Sequence, residues 1–377
     1  MSQRIPLFKI YWDTEDCDSV INTISSGSNW AIGPNNEKFE DEISRYFGKK
    51  YCATFNSGTS ALHSTLIAYG IQRGDEVIVP SFTFIATANA PKFVGAKPVF
   101  ADIEEETYGL NPDDVRKKIT SKTKAIIPIH FGGCPCKIEE LKEIADDNKL
   151  ILIEDAAEAF GAKVKNTMIG TFGDSALLSF CQNKIITTGE GGAIVTDSRE
   201  LFEKLKLIRS HGRLETCDYF STSAVLDYVQ IGYNFRLSSI LASLGLSQMH
   251  KVNSIISMRQ TAAAYYTKKL REIPGITPLS PPKDYHGVYQ LFSIRVKKRD
   301  ALIKFLETKG IASKIYFPPI HFTSFYQKDC DKNCSLPVTE KVSAEILSLP
   351  FYPQITKDEM DYVVETIQVF QGKPNGA

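Results

Sequence analysis

The chain has 377 residues, of which 43% are hydrophobic and 23% charged, as in ordinary soluble globular proteins. Lys+Arg and Asp+Glu each total 44, so the formal net charge is zero, which argues against nucleic acid or an anionic membrane as the main partner. Because the N-terminus lacks a signal-peptide pattern and no apolar run is long enough to span a bilayer, we expect a cytoplasmic protein.

Short apolar runs alternate with helical patterns along the first two thirds of the chain. The predicted strands are KYCATF (50–55), DEVIVP (75–80), KPVFADI (97–103), KAIIPIHF (124–131), LILIED (150–155), SALLSF (175–180) and GAIVTD (192–197). Predicted helices follow Ser57-Gly58-Thr59, begin at Asn111-Pro112 and cover 137–148. Continuously apolar strands are typical of sheets covered on both faces, so this alternation predicts an α/β fold with a mostly parallel sheet.

The pattern changes after about residue 240. A long helical stretch (237–270) is followed by a Pro-rich segment, an alternating strand (290–296), a helix (299–310) closed by Gly310, and a helix that begins near Thr356. We therefore predict a large domain over residues 1–245 and a smaller α+β domain over residues 246–377.

The segment Asn56-Ser57-Gly58-Thr59-Ser60 follows a predicted strand and opens a predicted helix. Free amides at a helix start, together with small hydroxyl side chains, suit a phosphate group. Taken alone, however, the segment is better explained as an ordinary helix N-cap.

Asp155 stands at the carboxyl end of the apolar strand LILIED. A buried acid needs a partner, which is either a cationic ring nitrogen or the start of the next helix. Glu154 alternates to the opposite face of the strand and is interpreted as structural. In PSFTFIATAN, either Phe82 or Phe84 could stack on a planar ring, and we expect Phe82 to lie in the core.

Lys184 lies in SFCQNKIITTGEGG, five residues after Ser179 ends a predicted strand. In a dry pocket a lysine becomes a nucleophile that can form a Schiff base with an aldehyde. The glycines that follow allow close approach of backbone to a ligand. This motif by itself does not exclude a solvated loop lysine.

The four features together are more specific than any one of them. A phosphate site, an aromatic side chain, an acid and a lysine all fall at predicted strand ends of one sheet. These are the groups that pyridoxal 5'-phosphate requires, so the sequence predicts that cofactor.

Cysteine spacing predicts no metal site. The close pairs are Cys134/Cys136 and Cys330/Cys334, and neither has the paired spacing of a zinc site. We expect both pairs to be structural or incidental, with a redox pair at 134/136 as the alternative.

The sequence resembles the DegT/DnrJ/EryC1/StrS family of sugar aminotransferases, within the fold-type I pyridoxal-phosphate enzymes. The resemblance covers nearly the whole chain, and its motifs include GPNNEKFEDEISRYFG, NSGTSALHST, IEDAAEAFGA, SFCQNKIITTGEGG, GYNFRLSSILASLGLSQ and PPIHF. It implies a mostly parallel seven-stranded sheet covered by helices and a smaller C-terminal α+β domain.

The resemblance also implies roles at matching positions. Lys184 would be the Schiff-base lysine and proton shuttle, Asp155 would pair with the pyridine nitrogen, and Phe84 would stack on the ring. The phosphate would be held by the amides of Gly58, Thr59 and Ser60 and the hydroxyl of Ser179.

Four further residues have implied positions around the cofactor. Asn234 would reach the phosphate from a partner subunit, which implies a homodimer with shared active sites. Glu158, where relatives often carry glutamine or histidine, would lie near the phenolic oxygen or the amine of the cofactor. Tyr316 and His321 would belong to a substrate-side loop.

The implied reaction moves an amino group from glutamate to a nucleotide-linked keto sugar. Relatives with histidine in place of the lysine are dehydratases, so Lys184 favours transamination. The chain departs from the family at Cys181 and Phe160, which affects the expected substrate contacts. We expect amination at C4 of a 4-keto-6-deoxy sugar, as in perosamine synthases. Alternatives are amination at C3, a lyase acting on a small amino acid, and a non-catalytic regulator that keeps the cofactor pocket.

Overall fold

The computed structural model describes residues 5–214, 223, 225–328 and 334–372. In these ranges the α-helices are α1 (Thr14–Ser25), α2 (Pro34–Phe47), α3 (Gly58–Ala68), α4 (Ala86–Phe93), α5 (Pro112–Lys118), α6 (Ile138–Asp147), α7 (Arg199–Arg209), α8 (Ser239–Leu270), α9 (Arg299–Thr308), α10 (Pro337–Glu345) and α11 (Lys357–Phe370). The strands are β1 (Tyr51–Phe55), β2 (Glu76–Pro80), β3 (Lys97–Ala101), β4 (Thr123–Ile126), β5 (Ile151–Asp155), β6 (Lys163–Val164), β7 (Thr167–Met168), β8 (Ser175–Ser179), β9 (Gly192–Thr196), β10 (Thr277–Pro278), β11 (Tyr285–His286), β12 (Phe292–Arg295) and β13 (Ile346–Leu349).

The central sheet has the strand order β1-β9-β8-β5-β4-β2-β3 over the described part of the chain. Its seven strands are the seven predicted from the sequence. The pairings β8–β5, β5–β4, β4–β2 and β2–β3 are parallel, and β9 runs antiparallel to both of its neighbours. The mostly parallel sheet is therefore confirmed. The carboxyl ends of all its strands except β9 meet at one edge, where ligands bind in folds of this kind.

Helices cover both faces of this sheet, as the continuously apolar strands predicted. One face packs against α2, α6 and α8, and strand residues of this layer are Ile78, Ile126, Leu152 and Val195. The other face packs against α3, α4 and α7, and strand residues of this layer are Val77, Val79, Ile153 and Ile194. Successive residues along each strand thus enter opposite layers, which fixes the direction of every strand-end side chain.

The C-terminal third forms a smaller α+β unit. A three-stranded sheet with the order β10-β12-β13 packs with α9, α11 and the second half of α8. A further small sheet, with the order β11-β6-β7, joins β11 of this third to two strands of the preceding part of the chain. Two observations bear on the predicted boundary at 245/246. Helix α8 runs through it without a break, and Ile5 packs in the C-terminal core although it belongs to the N-terminal segment. The division at 245/246 stays a prediction.

Helix signals in the sequence act as expected. The Asn111 side chain accepts a hydrogen bond from the Asp113 amide at 2.9 Å ahead of Pro112, and Thr356 forms a capping box with Glu359 at the start of α11. Gly310 follows α9 with a φ of 71°.

Cys134 and Cys136 are both buried free thiols. The described residues contain no group of three or more His, Cys, Asp or Glu side chains arranged to hold a metal ion. Among the helices that the structure describes, none combines the length and the apolar character that crossing a membrane needs.

Candidate active site

Asp155 ends β5 at the carboxyl edge of the sheet and is buried. Its Oδ2 accepts a hydrogen bond from the Thr87 hydroxyl at 2.9 Å, and its Oδ1 accepts one from the Ala157 amide at 3.2 Å. Burial raises the pKa of the Asp155 carboxyl, and these two hydrogen bonds and the charge of Lys184 oppose the rise. A cation held against this carboxylate would compensate for its burial.

Lys184 lies close to that acid and is not a solvated loop lysine. Its Nζ is 3.4 Å from Oε1 of Glu158, and only 15% of the lysine side chain and 12% of the glutamate side chain are exposed. The other carboxylate oxygen of Glu158 accepts a hydrogen bond from the Gly132 amide at 2.8 Å. The amine is therefore held by a carboxylate that is itself anchored to backbone.

The phosphate-site segment lies where β1 turns into α3. Ser57 is the N-cap, and its hydroxyl accepts a hydrogen bond from the Ser60 amide at 3.1 Å. The amides of Gly58 and Thr59 belong to the first helical turn, which has no acceptor within the helix. The capping explanation therefore accounts for one of the three predicted amides and leaves two for an anion.

The start of α3 packs closely against the ends of two strands. A Cβ placed on Gly58 would lie 3.4 Å from Cβ of Ser179, the last residue of β8. A Cβ placed on Gly192, the first residue of β9, would lie 2.6 Å from the Gly58 nitrogen. Glycine at these positions permits the approach that brings the Ser179 hydroxyl beside the helix amides.

The two phenylalanines near α4 have different environments. Phe82 has no exposed surface and packs on Phe131 with ring centroids 5.0 Å apart, as expected for a core residue. Phe84 is 57% exposed, and its carbonyl accepts a hydrogen bond from the Thr87 amide at 3.2 Å. The backbone of Phe84 thus bonds to the residue whose hydroxyl contacts Asp155, and the centroid of its largely exposed ring lies 6.1 Å from that of the Phe317 ring.

Glu154 has the structural role predicted from strand alternation. Its carboxylate accepts hydrogen bonds of 2.8 Å from the amides of Gly170, Phe172 and Gly173, and it lies 3.3 Å from Nε2 of His130. This buried acid is satisfied by the fold itself.

The structure brings Tyr316 but not His321 to the Lys184 cluster. Burial raises the pKa of Tyr316, the Glu158 carboxylate adds to the rise, and contact with the Asn183 side chain opposes it. His321 is 4% exposed, with Nδ1 at 2.7 Å from the Ser81 hydroxyl and Nε2 at 3.5 Å from Glu340. Burial lowers the pKa of His321, and its ring ties the loop to the residue that follows β2.

Asn234 lies close to the start of α3 in its own chain. Its carbonyl accepts a hydrogen bond from the Asn56 side chain at 3.4 Å, and Asn234 itself is exposed. A partner subunit therefore has access to this residue.

Sequence reasoning missed several residues of the cluster. Thr87 carried a usable signal, because its hydroxyl comes three residues after Phe84 in the first turn of a helix. Gly132 and Asn183 had only weak local signals, and Gln290, two residues before β12, lies 107 positions from Asn183 in sequence.

The residues present fit pyridoxal 5'-phosphate. A shielded amine suits its aldehyde, a buried acid with a raised pKa suits its protonated ring nitrogen, and an exposed aromatic face suits its flat ring. A helix start crowded by glycines suits its phosphate.

Comparisons with known proteins agree with this fit. Residues 12–368 match the model of the DegT/DnrJ/EryC1/StrS aminotransferase family. The GDP-perosamine synthase of Escherichia coli O157:H7 is 36% identical over 348 residues, covering 91% of this chain and 92% of that protein. The pleiotropic regulatory protein of Geobacillus stearothermophilus is 37% identical over 356 residues, covering 93% of each. The crystal structure of S. venezuelae DesV superposes with a TM-score of 0.91 at 31% identity, covering 99% of this chain and 100% of that one.

Proposed function

The chain belongs to the DegT/DnrJ/EryC1/StrS aminotransferase family of pyridoxal-phosphate-dependent sugar aminotransferases, and on that basis we propose that it moves an amino group from glutamate to a nucleotide-linked keto sugar. The proposed position is C4 of a 4-keto-6-deoxy sugar, which the similarity to a GDP-perosamine synthase supports. The observation that carries the proposal is the shielded Lys184 amine, 3.4 Å from Glu158 and beside the buried Asp155.

The bound cofactor supplies an electrophilic carbon and an electron sink for the developing carbanion. In our proposal Lys184 attaches the cofactor and moves the proton between the two reacting carbons in each half-reaction. Asp155 keeps the ring nitrogen protonated, because its own carboxylate gains a cationic partner in a buried position. Phe84 covers one face of the ring.

The phosphate is proposed to bind at the start of α3, through the amides of Gly58 and Thr59 and the hydroxyl of Ser179. The Ser60 amide joins them when it exchanges its bond to Ser57 for one to the phosphate. The close packing at Gly58 and Gly192 fixes the backbone at the start of α3, so the amide donors are already oriented before the anion binds.

Glu158 is proposed to hold the lysine amine and to border the phenolic oxygen of the cofactor, anchored by Gly132. Tyr316 and His321 stay proposed substrate-side residues: Tyr316 by direct contact, His321 by holding the loop against Ser81. Asn234 is proposed to reach the phosphate of a partner subunit in a homodimer.

The test uses the colour of the bound cofactor. The purified protein should be yellow, lose the colour with glutamate, and regain it with the accepted keto sugar. Lys184→Ala should abolish turnover, whereas Lys204→Ala, an exposed lysine paired with Glu200 on α7, should leave it unchanged. An alanine variant at 184 that transaminates at the normal rate would refute the assignment.

Three other functions have distinct outcomes in experiments with the same protein and substrates. Amination at C3 would show as a C3 amine when products from a panel of nucleotide keto sugars are analysed by NMR. A regulator is favoured by the similarity to a pleiotropic regulatory protein, and would give a protein that no amine donor bleaches. Bleaching by cysteine but not by glutamate would indicate a lyase.

A further inference from the structure

The loop that carries Lys184 is held by a side chain from the C-terminal third of the chain. Gln290 is 3% exposed, and its Nε2 donates a hydrogen bond to the carbonyl of Asn183, the residue before Lys184. Gln290 precedes β12 and is separated from Asn183 by 107 positions. The contact therefore joins the smaller α+β unit to the backbone beside the catalytic lysine.

Gln290 is itself held in place by α8. The Arg259 guanidinium donates hydrogen bonds to the Tyr289 carbonyl at 3.1 Å and to the Gln290 carbonyl at 3.4 Å. Arg259 is 3% exposed, and its burial lowers its pKa to about 10. A buried cation bonded to two successive carbonyls fixes the backbone from which the Gln290 side chain extends.

The same segment reaches Lys184 by a second route. The Leu291 amide donates a hydrogen bond to the Gly132 carbonyl at 3.2 Å, and the Gly132 amide donates one to Glu158 at 2.8 Å. Glu158 in turn holds the Lys184 amine. Residues 290 and 291 thus contact both the backbone next to the lysine and the peptide that anchors its carboxylate partner.

We propose that Gln290 is a positioning residue that sets where the Lys184 amine stands relative to Asp155 and Glu158. The inference rests on the proposed aminotransferase function. A displacement of about 1 Å in a reacting group can reduce a rate about 100-fold, so a loss of this hydrogen bond should act on turnover. Its effect on sugar binding should be small, because Gln290 is buried and its side-chain amide is engaged with the Asn183 carbonyl.

The experiment compares Gln290→Glu and Gln290→Met with Gln260→Glu. Both changes at 290 keep about the size of the side chain and remove the amide N–H that donates to Asn183, and Gln290→Met also leaves no other donor. Gln260 offers a control with the same kind of hydrogen bond at a more exposed position, because its Nε2 donates to the Gly287 carbonyl at 3.0 Å. Amide hydrogen exchange of the peptide 181–188 is measured in the cofactor-free protein, and steady-state kinetics in the holoenzyme.

We expect the exchange in 181–188 to become about tenfold faster in both Gln290 variants and to stay unchanged in Gln260→Glu. We expect kcat to fall about 10- to 100-fold, with KM for the keto sugar changed by less than about threefold. Unchanged exchange and unchanged kcat in both Gln290 variants would overturn the proposal. So would faster exchange across all peptides with a lowered unfolding midpoint, since that result indicates a purely structural residue.

The experiment distinguishes a failure of the positioning role of Gln290 from a failure of the proposed function. Exchange in the cofactor-free protein needs no substrate, so it reports on positioning even if no keto sugar is turned over. Turnover that depends on Lys184 but not on Gln290 would retain the function and reject the positioning role.

Discussion

Two adjacent acids at the end of β5 illustrate how one residue's environment decides its role. Strand alternation directs Glu154 and Asp155 to opposite faces of the sheet. Glu154 meets three backbone amides, so its charge is fully compensated within the fold. Asp155 meets one hydroxyl and one amide, and its burial raises its pKa. The second acid is therefore the one that a cationic ligand stabilises.

Asp155→Asn should stabilise the cofactor-free protein and weaken cofactor binding. Because the folded-state pKa of Asp155 is raised, its stabilising contribution is full below the unfolded value of about 3.9 and is lost as pH rises through the folded value. The variant's advantage in unfolding free energy should therefore grow as pH rises from about 4 through the folded-state pKa of Asp155, and stay constant above it. The variant's affinity for pyridoxal phosphate should fall about 10- to 100-fold, because a charge-assisted hydrogen bond is lost.

Chemical denaturation of the cofactor-free protein at several pH values measures the first effect, and cofactor titration by absorbance measures the second. Asp113→Asn serves as the control, because the Asp113 side chain is exposed and pairs with Arg116 one helical turn away. Equal cofactor affinity in Asp155→Asn and the native chain would contradict the ring-nitrogen assignment.

Glu154→Gln should lower the free energy of unfolding by about 3 kcal/mol. The amide group that replaces one oxygen would face a backbone N–H donor at 2.8 Å, and the other hydrogen bonds would lose their charge. Urea unfolding measures the loss, with the exposed Glu200→Gln as a control expected to change by less than about 0.5 kcal/mol. A loss no larger than that of the control would show that the three amides do not need the charge.

At the scale of elements, the phosphate site depends on how closely α3 packs on the strand ends. Gly192 begins β9 and pairs with both Ser179 and Phe55, so it lies between β8 and β1 where α3 starts. A side chain at this position has no space, since its Cβ would meet the Gly58 backbone. The β-strand pairing thus sets the position of the helix amides.

Gly192→Ala should weaken cofactor binding by at least about tenfold, because the added Cβ displaces the Gly58 amide from the anion site. Gly245→Ala is the matched control, since its Cβ would lie 2.5 Å from the Phe39 ring at the α2–α8 contact. Both variants should lose stability by about 1–3 kcal/mol, but only Gly192→Ala should change the cofactor dissociation constant. Equal cofactor affinities in Gly192→Ala and Gly245→Ala would mean that the added Cβ at 192 does not disturb the phosphate site at the start of α3.

At the scale of the whole molecule, exposed apolar side chains in the segment before Asn234 are consistent with association with a partner subunit. Val229 and Ile231 are 51% and 86% exposed, and both lie within five residues of Asn234. Exposed apolar side chains that cluster, unlike isolated ones, mark association surfaces. This supports a homodimer in which each active site combines residues of two chains.

Mixing two inactive variants tests the shared site. In dimers that combine Lys184→Ala with Asn234→Ala, one site regains both native residues, and the other loses both. Random reassociation of equal amounts should therefore restore about a quarter of native activity, because about half of the dimers are mixed and each has one complete site. Activity of the unmixed variants is the control. No recovery in dimers proven to be mixed would indicate that Asn234 acts within its own chain, where its carbonyl already contacts Asn56.

Local sequence patterns alone were enough to predict most of the central strands and helices and three parts of the candidate site. Each of the seven central strands was predicted from apolar runs, and the helices at Pro112, 137–148 and Thr356 from their caps and periodicity. Lys184, Asp155 and the Ser57–Ser60 turn were found because strand ends of a parallel sheet share one edge. These features depend on interactions between residues close in sequence, so the sequence displays them directly.

Only the tertiary structure decided which side chains complete the cluster. Thr87 reaches Asp155 across 68 positions, and Gln290 reaches Asn183 across 107. His321, which stays a proposed substrate-side residue, has its ring buried against Ser81, 240 positions away, a contact that its sequence motif did not indicate. Such contacts join residues that are far apart in sequence. Packing and the need to satisfy buried hydrogen-bonding groups decide which residues meet, and a single sequence carries no periodic signal for these pairings.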